Sequence, residues 1–265
     1  MKKIIEKLQQ HTDVSVYSTR FISNLIENRM SDLNLASVAD YQSYLTKNTS
    51  EFELFDSQLK NSYSLFFRNR LTFETLHHIV LPRLAAQKAD GNELRVWSAG
   101  CAGGQEPYSL AILFESFHKI SSTKLNYRIF ATDRDYSEIE RAVVGEFSRL
   151  EIANLTNVEM DSWFAGDGKK FKIDSRLKKH IEFELFDLLD NECLCPRTSI
   201  YGAFDIIMCA NVLIYYNESI QQFIISNLQK CISENGIIIT GEAERELFIR
   251  YGYTEIYPQS CIFKF

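Results

Sequence analysis

The chain has 265 residues, of which 45% are hydrophobic and 24% charged, so it is long enough for one large globular domain with a small companion. Its net charge of -6 argues against non-specific nucleic-acid binding, because such a surface needs a basic excess or a basic stripe. No run of about 18 apolar residues occurs, and the first residues, MKKIIEKLQQH, lack the apolar core of a signal peptide. We therefore expect a cytoplasmic protein without direct membrane insertion.

Residues 1–60 are predicted to form a small all-α domain. Apolar residues recur at spacings of three and four in IIEKLQQ, YSTRFISNLIENRMSDL and SVADYQSYLTKN. Ser37 is predicted to cap the last of these helices, with Asp40 in the capping-box position. Residues 61–91 follow as a predicted linker and a helix laid across the second domain. His77 and His78 on that helix are predicted to be packing or surface residues.

From Leu94 onward, strand and helix patterns alternate along the chain. Strands are predicted in LRVWSAG, YRIFATD, the first halves of HIEFELFDLL and FDIIMCANVLIYY, GIIITGEA and SCIFKF. Helices are predicted in EPYSLAILFESFHKI, YSEIERAVVGEF and SIQQFIISNLQKCISE. Residues 92–265 are therefore predicted to be a doubly wound, mostly parallel, Rossmann-like α/β domain. Gly166 and Gly168 flank an acidic turn, which predicts a small β-hairpin subdomain inserted at about 147–180.

The stretch RVWSAGCAGGQEPYSLA joins the first predicted strand to a helix. Gly100, Gly103 and Gly104 can let the backbone approach a ligand, and the first amides of the helix can donate hydrogen bonds to it. The spacing is not the dinucleotide pattern GxGxxG. A tight strand-to-helix turn without a ligand explains the same residues equally well.

Polar residues follow three further strands of the predicted sheet. Asp133 can accept both hydroxyls of a ribose, and Asp187 can accept a hydrogen bond from an adenine amino group. Helix capping is the alternative for both, and for Asp135. Asn211 follows the strand FDIIMCA and precedes Tyr215, for which packing is the alternative. Together these residues predict an adenosyl pocket at one edge of the sheet.

Glu106 distinguishes between classes of ligand. A carboxylate at a helix start repels a phosphate but attracts the ammonium of an amino-acid cofactor. This residue favours S-adenosylmethionine over NAD or ATP, and the P-loop pattern of nucleotide hydrolases is absent. The pair Cys193 and Cys195 has the wrong spacing for zinc, so no metal site is predicted and the six cysteines are expected to be reduced thiols.

With these residues in view, the chain resembles the CheR family of chemotaxis methyltransferases, which transfer a methyl group from S-adenosylmethionine to glutamate side chains of chemoreceptors. The resemblance runs from about Val14 to the last strand. Four stretches carry it: SLFFRN, RVWSAGCAGGQEPYSLA, IFATDRDYSEIERAVVGEFS and FDIIMCANVLIYYNE. It implies a protein-glutamate O-methyltransferase that binds S-adenosylmethionine and releases S-adenosylhomocysteine.

The resemblance also implies roles for individual residues. The residues implied at the cofactor are Ser62, Ser64, Arg68, Gly100, Glu106 at the amino group, Asp133 at the ribose, Asp187 and Leu188 at the adenine, and Ala210 and Asn211 at the methionyl part. Tyr215 is implied near the transferred methyl group. Arg68 can also hold the acceptor carboxylate in bidentate fashion, although a surface ion pair is the alternative for this residue.

The implied partner is a methyl-accepting chemotaxis receptor or a similar acidic helical signalling protein, and the enzyme is expected to be a monomer. Ser62 stands where the family often has asparagine, Ala210 where it has arginine, and GEAE where it has GHSE. RFISNLIENRM offers only Arg20 and Arg29 to an acidic partner, which weakens electrostatic steering. These departures leave two alternatives open: a cofactor-binding signalling module without turnover, and a methyltransferase for a different carboxylate.

Overall fold

The computed structural model describes residues 2–60, 63–88, 92–121 and 125–264. The chain divides into two compact units, the first comprising Met1–Ser62 with Leu213–Ile224 and the second comprising Tyr63–Val212 with Ile225–Phe265. Leu213–Ile224 is thus grouped with the N-terminal helices, which no local sequence pattern indicated. Across the described residues, none of the helices combines the length and the apolar character that a membrane span requires.

The helices are given first, in chain order. They are α1 (Lys2–Leu8), α2 (Thr19–Asp32), α3 (Val38–Lys47), α4 (Ser50–Leu59), α5 (Arg70–Thr75), α6 (Leu81–Gln87), α7 (Gln105–Ile120), α8 (Tyr136–Val144), α9 (Asn157–Trp163), α10 (Ser175–Lys178), α11 (Glu218–Cys231) and α12 (Arg245–Arg250). A π-helical turn, Leu76–Val80, joins α5 to α6.

The strands form two sheets. They are β1 (Leu94–Ala99), β2 (Tyr127–Asp133), β3 (Glu146–Ser148), β4 (Phe164–Gly166), β5 (Lys170–Ile173), β6 (Ile181–Leu185), β7 (Phe204–Cys209), β8 (Ile232–Thr240), β9 (Thr254–Glu255) and β10 (Ile262–Lys264). The larger sheet has the order β6-β2-β1-β7-β8-β10-β9, and the smaller has the order β3-β5-β4.

A side-chain cap starts α3 at Ser37, where the sequence predicted it. Ser37 precedes α3 and its hydroxyl accepts a hydrogen bond from the Asp40 backbone N–H at 3.2 Å. The Asp40 carboxylate in turn accepts from the Ser37 hydroxyl at 2.6 Å, and not from the backbone N–H that completes a capping box. Ser18 caps α2 in the same way, accepting from Phe21 N–H at 3.2 Å.

We expected α2 to present Arg29 to an acidic partner, and the structure corrects this expectation. The Arg29 side chain is buried, and its Nε and Nη2 atoms each donate to the Glu51 carboxylate at 2.8 Å. Tyr41 donates its hydroxyl to the same carboxylate at 3.0 Å. Arg20 remains exposed, so it is the arginine of RFISNLIENRM that a partner can reach.

The larger sheet of the second unit is parallel from β6 to β8. β1 pairs in parallel with both β2 and β7, so it lies in the middle of the parallel part of the sheet. β7 is buried at every residue, as a strand covered on both faces must be, and this explains its continuous apolar sequence FDIIMC. At the far edge, β10 pairs antiparallel with β8, and β9 pairs antiparallel with β10. The predicted doubly wound, mostly parallel α/β fold is confirmed.

Two predicted helices end earlier than their sequence patterns indicated. α8 stops at Val144 because Gly145 adopts a left-handed φ of 64° and caps it, and the following Glu146–Ser148 forms strand β3. α11 stops at Cys231, and the next residues pair as β8. In both places sheet pairing with distant residues overrides helical periodicity.

The inserted subdomain contains the predicted hairpin and one further strand. β4 and β5 pair antiparallel across a turn in which Asp167 Oδ1 accepts from the backbone N–H groups of Lys169 and Lys170 at 2.9 and 3.1 Å. β3 pairs with the other side of β5. The insertion is therefore a three-stranded antiparallel sheet.

Candidate functional site

The candidate site lies at the carboxyl ends of the parallel strands. Numbered along the chain, the strands of the larger sheet have the order 3-2-1-4-5-7-6, which reverses direction between β1 and β7. Such a switch point opens a crevice beyond the carboxyl ends of the two strands. The glycine-bearing turn follows β1, and Asn211 follows β7, so these two predicted features lie at this crevice.

The glycines of that turn lie close to neighbouring side chains of the protein, which gives a packing reason beside the one proposed from sequence. A Cβ at Gly100 would lie 2.5 Å from Val212 Cγ2, one at Gly103 would lie 2.6 Å from Arg141 Cζ, and one at Gly104 would lie 2.9 Å from the Ala142 Cβ. Gly100 and Gly104 also have φ values of 80° and 91°. Left-handed backbone and packing, against Val212 after β7 for Gly100 and against α8 for Gly104, explain these two glycines, and the cofactor role of Gly100 stays a prediction.

We expect Gly104→Ala to destabilise the second unit more than Gly168→Ala does. Both glycines have φ near 90°, but a Cβ at Gly168 meets nothing within 4 Å. Gly168→Ala should therefore cost only the left-handed strain of about 1–2 kcal/mol. Gly104→Ala should cost about 1–3 kcal/mol more, because it also overpacks the contact with α8. Urea unfolding measures both, and equal losses would contradict this packing explanation.

Glu106 lies in the first turn of α7. Ser98, a buried residue of β1, donates its hydroxyl to Glu106 Oε1 at 2.6 Å. Burial is the main cause that raises the pKa of Glu106 to about 8, against the lowering effect of the Ser98 hydrogen bond. The nearby Glu244 raises this pKa further, and Arg68 lowers it. The carboxyl group is therefore mostly protonated near neutral pH and gains from any cation placed beside it.

Asp133 is the last residue of β2, and its side chain accepts a hydrogen bond from the turn after β1. Its Oδ2 accepts from the Ala102 backbone N–H at 2.8 Å, and its Oδ1 accepts from the Asp135 N–H at 2.9 Å. Burial raises the pKa of Asp133, and these two hydrogen bonds oppose the rise. The helix-capping alternative applies to Asp135, which accepts from Ser137 N–H at the start of α8. The ribose role of Asp133 stays a prediction.

Asp187 and Leu188 follow β6. The Asp187 side chain is exposed, and its Oδ1 accepts from the Leu189 backbone N–H at 2.9 Å. This local turn accounts for one carboxylate oxygen. Leu188 is half-buried. Their predicted contact with an adenine stays a prediction.

The turn after β7 depends on a buried glutamate whose role the sequence analysis missed. Asn211 has a left-handed φ of 62°, and its backbone N–H donates to Glu244 Oε2 at 2.8 Å. The same oxygen accepts from Gly241 N–H at 2.9 Å. Glu244 is only 1% exposed, so it fixes the loops after β7 and β8 together. Ala210 is half-buried and packs against the core of this unit.

The segment before α5 contributes Arg68. Ser62 lies outside the described residues, and Ser64 is half-buried. Arg68 is exposed; its Nη1 donates to the Tyr63 carbonyl at 2.9 Å, and its guanidinium lies 5.8 Å from the Tyr63 ring centroid. Phe67, the buried residue directly before Arg68, has a φ of 45° and donates its backbone N–H to Ser109 Oγ at 3.0 Å. Anchoring Phe67 fixes the backbone from which Arg68 projects.

Tyr215 belongs to the first unit. Its ring meets Phe21 edge-on with the centroids 4.9 Å apart, and its carbonyl accepts from Ser18 N–H at 2.8 Å. The packing that the sequence left as an alternative is thus present. The role of Tyr215 near the transferred methyl stays a prediction.

The residues at the crevice fit the cofactor that the resemblance implies. Two acidic residues, Glu106 and Glu244, lie close enough for one charge to raise the pKa of the other group. This surplus of carboxylates suits a ligand that carries an ammonium and a sulfonium cation. The same surplus opposes a phosphate, which needs donors and positive charge.

Comparison with known proteins agrees with this site. Residues 62–250 match the family described as "CheR methyltransferase, SAM binding domain". The chemotaxis protein methyltransferase of Listeria monocytogenes serovar 1/2a is 30% identical over 236 residues, which cover 89% of this chain and 85% of that protein. The chemotaxis protein methyltransferase of Escherichia coli K12 is 28% identical over 229 residues, covering 84% of this chain and 75% of that protein. The chain therefore belongs to the CheR methyltransferase family, and its cofactor is S-adenosylmethionine.

Proposed function

We propose that this protein transfers a methyl group from S-adenosylmethionine to glutamate side-chain carboxylates of a chemoreceptor or a receptor-like signalling protein. The names of the relatives support a methyltransferase of chemotaxis. The observation that carries the choice of a carboxylate substrate is Arg68. Its guanidinium is exposed, and it acts electrostatically on Glu106 at the cofactor crevice. An acidic side chain that enters there meets a bidentate donor.

In this proposal the cofactor is held by residues at the carboxyl ends of the strands. Glu106 accepts the ammonium and loses its own proton as it does so. Asp133 accepts the ribose hydroxyls, Asp187 and Leu188 contact the adenine, and Ala210 and Asn211 lie at the methionyl part. Ser62 and Ser64 close the site from the linker. The buried Glu106 and the braced turn at Asp133 support this arrangement.

The chemistry requires orientation more than acid–base catalysis. Bound S-adenosylmethionine supplies a methyl group on a sulfonium, which is electrophilic. A glutamate side chain is ionised near neutral pH, so one of its oxygens can form the new bond to carbon while the sulfur keeps the electron pair of the broken bond. Arg68 holds the carboxylate in line, and Tyr215 is proposed near the methyl group. The products are a glutamate methyl ester and S-adenosylhomocysteine, without a general base.

Arg68→Lys should lower kcat/KM for a receptor fragment about 100-fold, because a lysine cannot hold a carboxylate with two parallel hydrogen bonds. The measurement is transfer of labelled methyl groups from S-adenosylmethionine to receptor cytoplasmic fragments, scored as base-labile ester. Arg83→Lys is the matched control. Arg83 is an exposed residue of α6, and its guanidinium lies 5.7 Å from the centroid of the Tyr257 ring. Affinity for S-adenosylhomocysteine should change far less than kcat/KM.

The same assay separates the alternatives. If the wild-type protein binds S-adenosylhomocysteine but forms no base-labile ester on any receptor fragment, the protein is a cofactor-binding module without turnover. If the ester forms on another acidic protein or a small carboxylate, the chemistry stands and the partner changes. Equal activity of Arg68→Lys and the wild type would remove Arg68 from the acceptor site.

We propose that the partner is an acidic helical signalling protein in the cytoplasm. Electrostatic steering of its association with this protein is proposed to be weak. Of the two arginines in RFISNLIENRM, Arg20 is exposed, whereas Arg29 is neutralised by Glu51 inside the first unit. A partner recognised through one exposed arginine of this helix should show only a modest fall in association rate as salt is added.

A further inference from the structure

Three potential metal ligands lie together on the helical segment that precedes β1, and none of them belongs to the proposed methyl-transfer site. They are Glu74 on α5 and His77 and His78 on the π-helical turn. One ligand atom from each lies within 4.8 Å of the others. His78 Nε2 is 3.1 Å from Glu74 Oε2, and the two imidazole centroids are 4.5 Å apart.

The helix geometry places both histidines next to the same carboxylate. Residues three and four positions after Glu74 lie on its face of a helix, so His77 and His78 are both its neighbours. The π-helical turn Leu76–Val80 widens the helix at this point, and such turns occur frequently at functional sites. The sequence pattern Glu-x-x-His-His carried this signal, but the sequence analysis treated the histidines only as packing or surface residues.

The spacing suits a tetrahedral divalent cation. Zinc binds imidazole nitrogen and carboxylate oxygen at roughly 2.0–2.2 Å, so two such ligands on one ion are about 3.4 Å apart. The distance of 3.1 Å between His78 Nε2 and Glu74 Oε2 is close to that edge. Rotation of the His77 side chain about its single bonds can shorten the remaining separations.

Among the described residues, none forms a hydrogen bond with His77 Nε2 that would fix the orientation of the ring. This Nε2 atom is also shielded from solvent. A buried polar atom of this kind is uncommon in proteins and calls for an explanation. Its ring packs against Phe117 with a centroid distance of 6.4 Å, which leaves the ring beside His78.

The positive charge of Arg70 opposes the binding of a cation at this cluster, but Arg70 also has a second carboxylate partner. Arg70 Nε donates to Glu74 Oε1 at 2.9 Å, and its Nη1 and Nη2 atoms each lie 3.3 Å from the carboxylate of Glu159. If Glu74 turns to a metal ion, Arg70 keeps Glu159 as its counter-ion. The carboxylate can therefore be released without leaving an unpaired guanidinium.

We propose that Glu74, His77 and His78 bind a zinc-type divalent transition-metal ion. Two imidazoles and one carboxylate are a set that zinc takes with a fourth position left to water or another ligand. The proposal shares no residue with the proposed methyl-transfer site and does not depend on the proposed substrate.

Titration with Co²⁺, whose tetrahedral complexes absorb visible light, followed by displacement with Zn²⁺, tests the proposal on the full-length protein. We expect saturable binding of one ion per chain. His77→Ala and Glu74→Gln should each weaken binding about tenfold or more. His78→Ala should do the same, and because this side chain is 60% exposed the variant should keep the wild-type circular dichroism spectrum and Tm. Arg70→Gln should tighten binding, because it removes the opposing charge.

His180→Ala is the matched control. His180 and His118 lie 3.9 and 3.8 Å from the carboxylate of Glu115, so this other cluster would bind a metal if histidines near any carboxylate sufficed. Binding that is lost in His180→Ala but kept in His78→Ala would overturn the proposal. So would the absence of a saturable Co²⁺ spectrum in the folded wild-type protein.

Discussion

Glu106→Gln is expected to weaken binding of S-adenosylhomocysteine roughly 10- to 100-fold at pH 8, while making the cofactor-free protein more stable. A hydrogen bond to a charged partner contributes about 1.5–3 kcal/mol, and each 1.4 kcal/mol corresponds to a factor of ten in affinity. The amide keeps the size of the side chain and a hydrogen bond with Ser98, so the change removes the charge alone.

The pH dependence of binding provides a sharper form of this prediction. The pKa of Glu106 is about 8 in the cofactor-free protein, and an ammonium needs the ionised form. Wild-type affinity should therefore rise by almost tenfold per pH unit between pH 6 and pH 7 and level off above about pH 8. Glu106→Gln should lack this rise. Isothermal titration with S-adenosylhomocysteine at several pH values, with the exposed Glu140→Gln as the control, measures both curves.

The effect on stability has the opposite sign. The folded-state pKa of Glu106 lies above its usual value of 4.5, so the folded protein must keep a proton that the unfolded chain releases. The resulting cost is absent below about pH 4.5 and is fully present above about pH 8. Glu106→Gln should therefore raise Tm at pH 8 and leave it nearly unchanged at pH 4.5. A variant that binds like the wild type at every pH would show that Glu106 does not hold the ammonium.

Glu51→Ala is expected to destabilise the first unit by about 3 kcal/mol or more. The Glu51 carboxylate accepts two hydrogen bonds from Arg29 and one from Tyr41, and it is only 1% exposed. Among the described residues, its removal leaves the buried guanidinium with Asp32 as its remaining ion-pair partner, at 3.0 Å, and the Asp32 side chain is 60% exposed. Removal of one partner from a buried ion pair typically costs about 3–5 kcal/mol. Hydrogen exchange of peptides from α2, α3 and α4 locates the loss in this unit.

Asp32→Ala is the matched control, since it removes the exposed partner of the same arginine and should cost no more than about 1 kcal/mol. The triple variant Arg29→Met, Tyr41→Phe, Glu51→Leu should recover most of the loss. Apolar residues of similar volume often replace a buried ion pair without a cost. If Glu51→Ala and Asp32→Ala are equally mild, the buried pair does not stabilise the unit.

Local sequence patterns predicted those parts of the fold that depend on neighbouring residues. Ser37 caps α3 because its side chain reaches a backbone N–H three residues away. Asp167 and Gly168 form the hairpin turn of the insertion for the same local reason. The alternation of apolar strands with amphipathic helices predicted the doubly wound sheet, since parallel strands need helical crossovers.

Residues distant in sequence decided the rest. Gly100 is a glycine because its φ is 80° and Val212 packs against it, and α8 ends at Val144, where Gly145 caps it and the next residues pair with β5. Arg29 appeared in the sequence as a surface cation, but Glu51, which comes from α4, draws it into the interior. No pattern along one helix indicates which charge another helix will bring to it.

The candidate site shows the same division. The sequence by itself determined the family, the glycine turn after β1 and the chemical reason for Glu106, because each rests on residue types at fixed short spacings. Only the tertiary structure decided that burial raises the pKa of Glu106, with Ser98 opposing and Glu244 adding to the rise, and that Glu74, His77 and His78 form a cluster. A pKa and a ligand geometry depend on distances of a few ångströms between side chains, and folding alone fixes those distances.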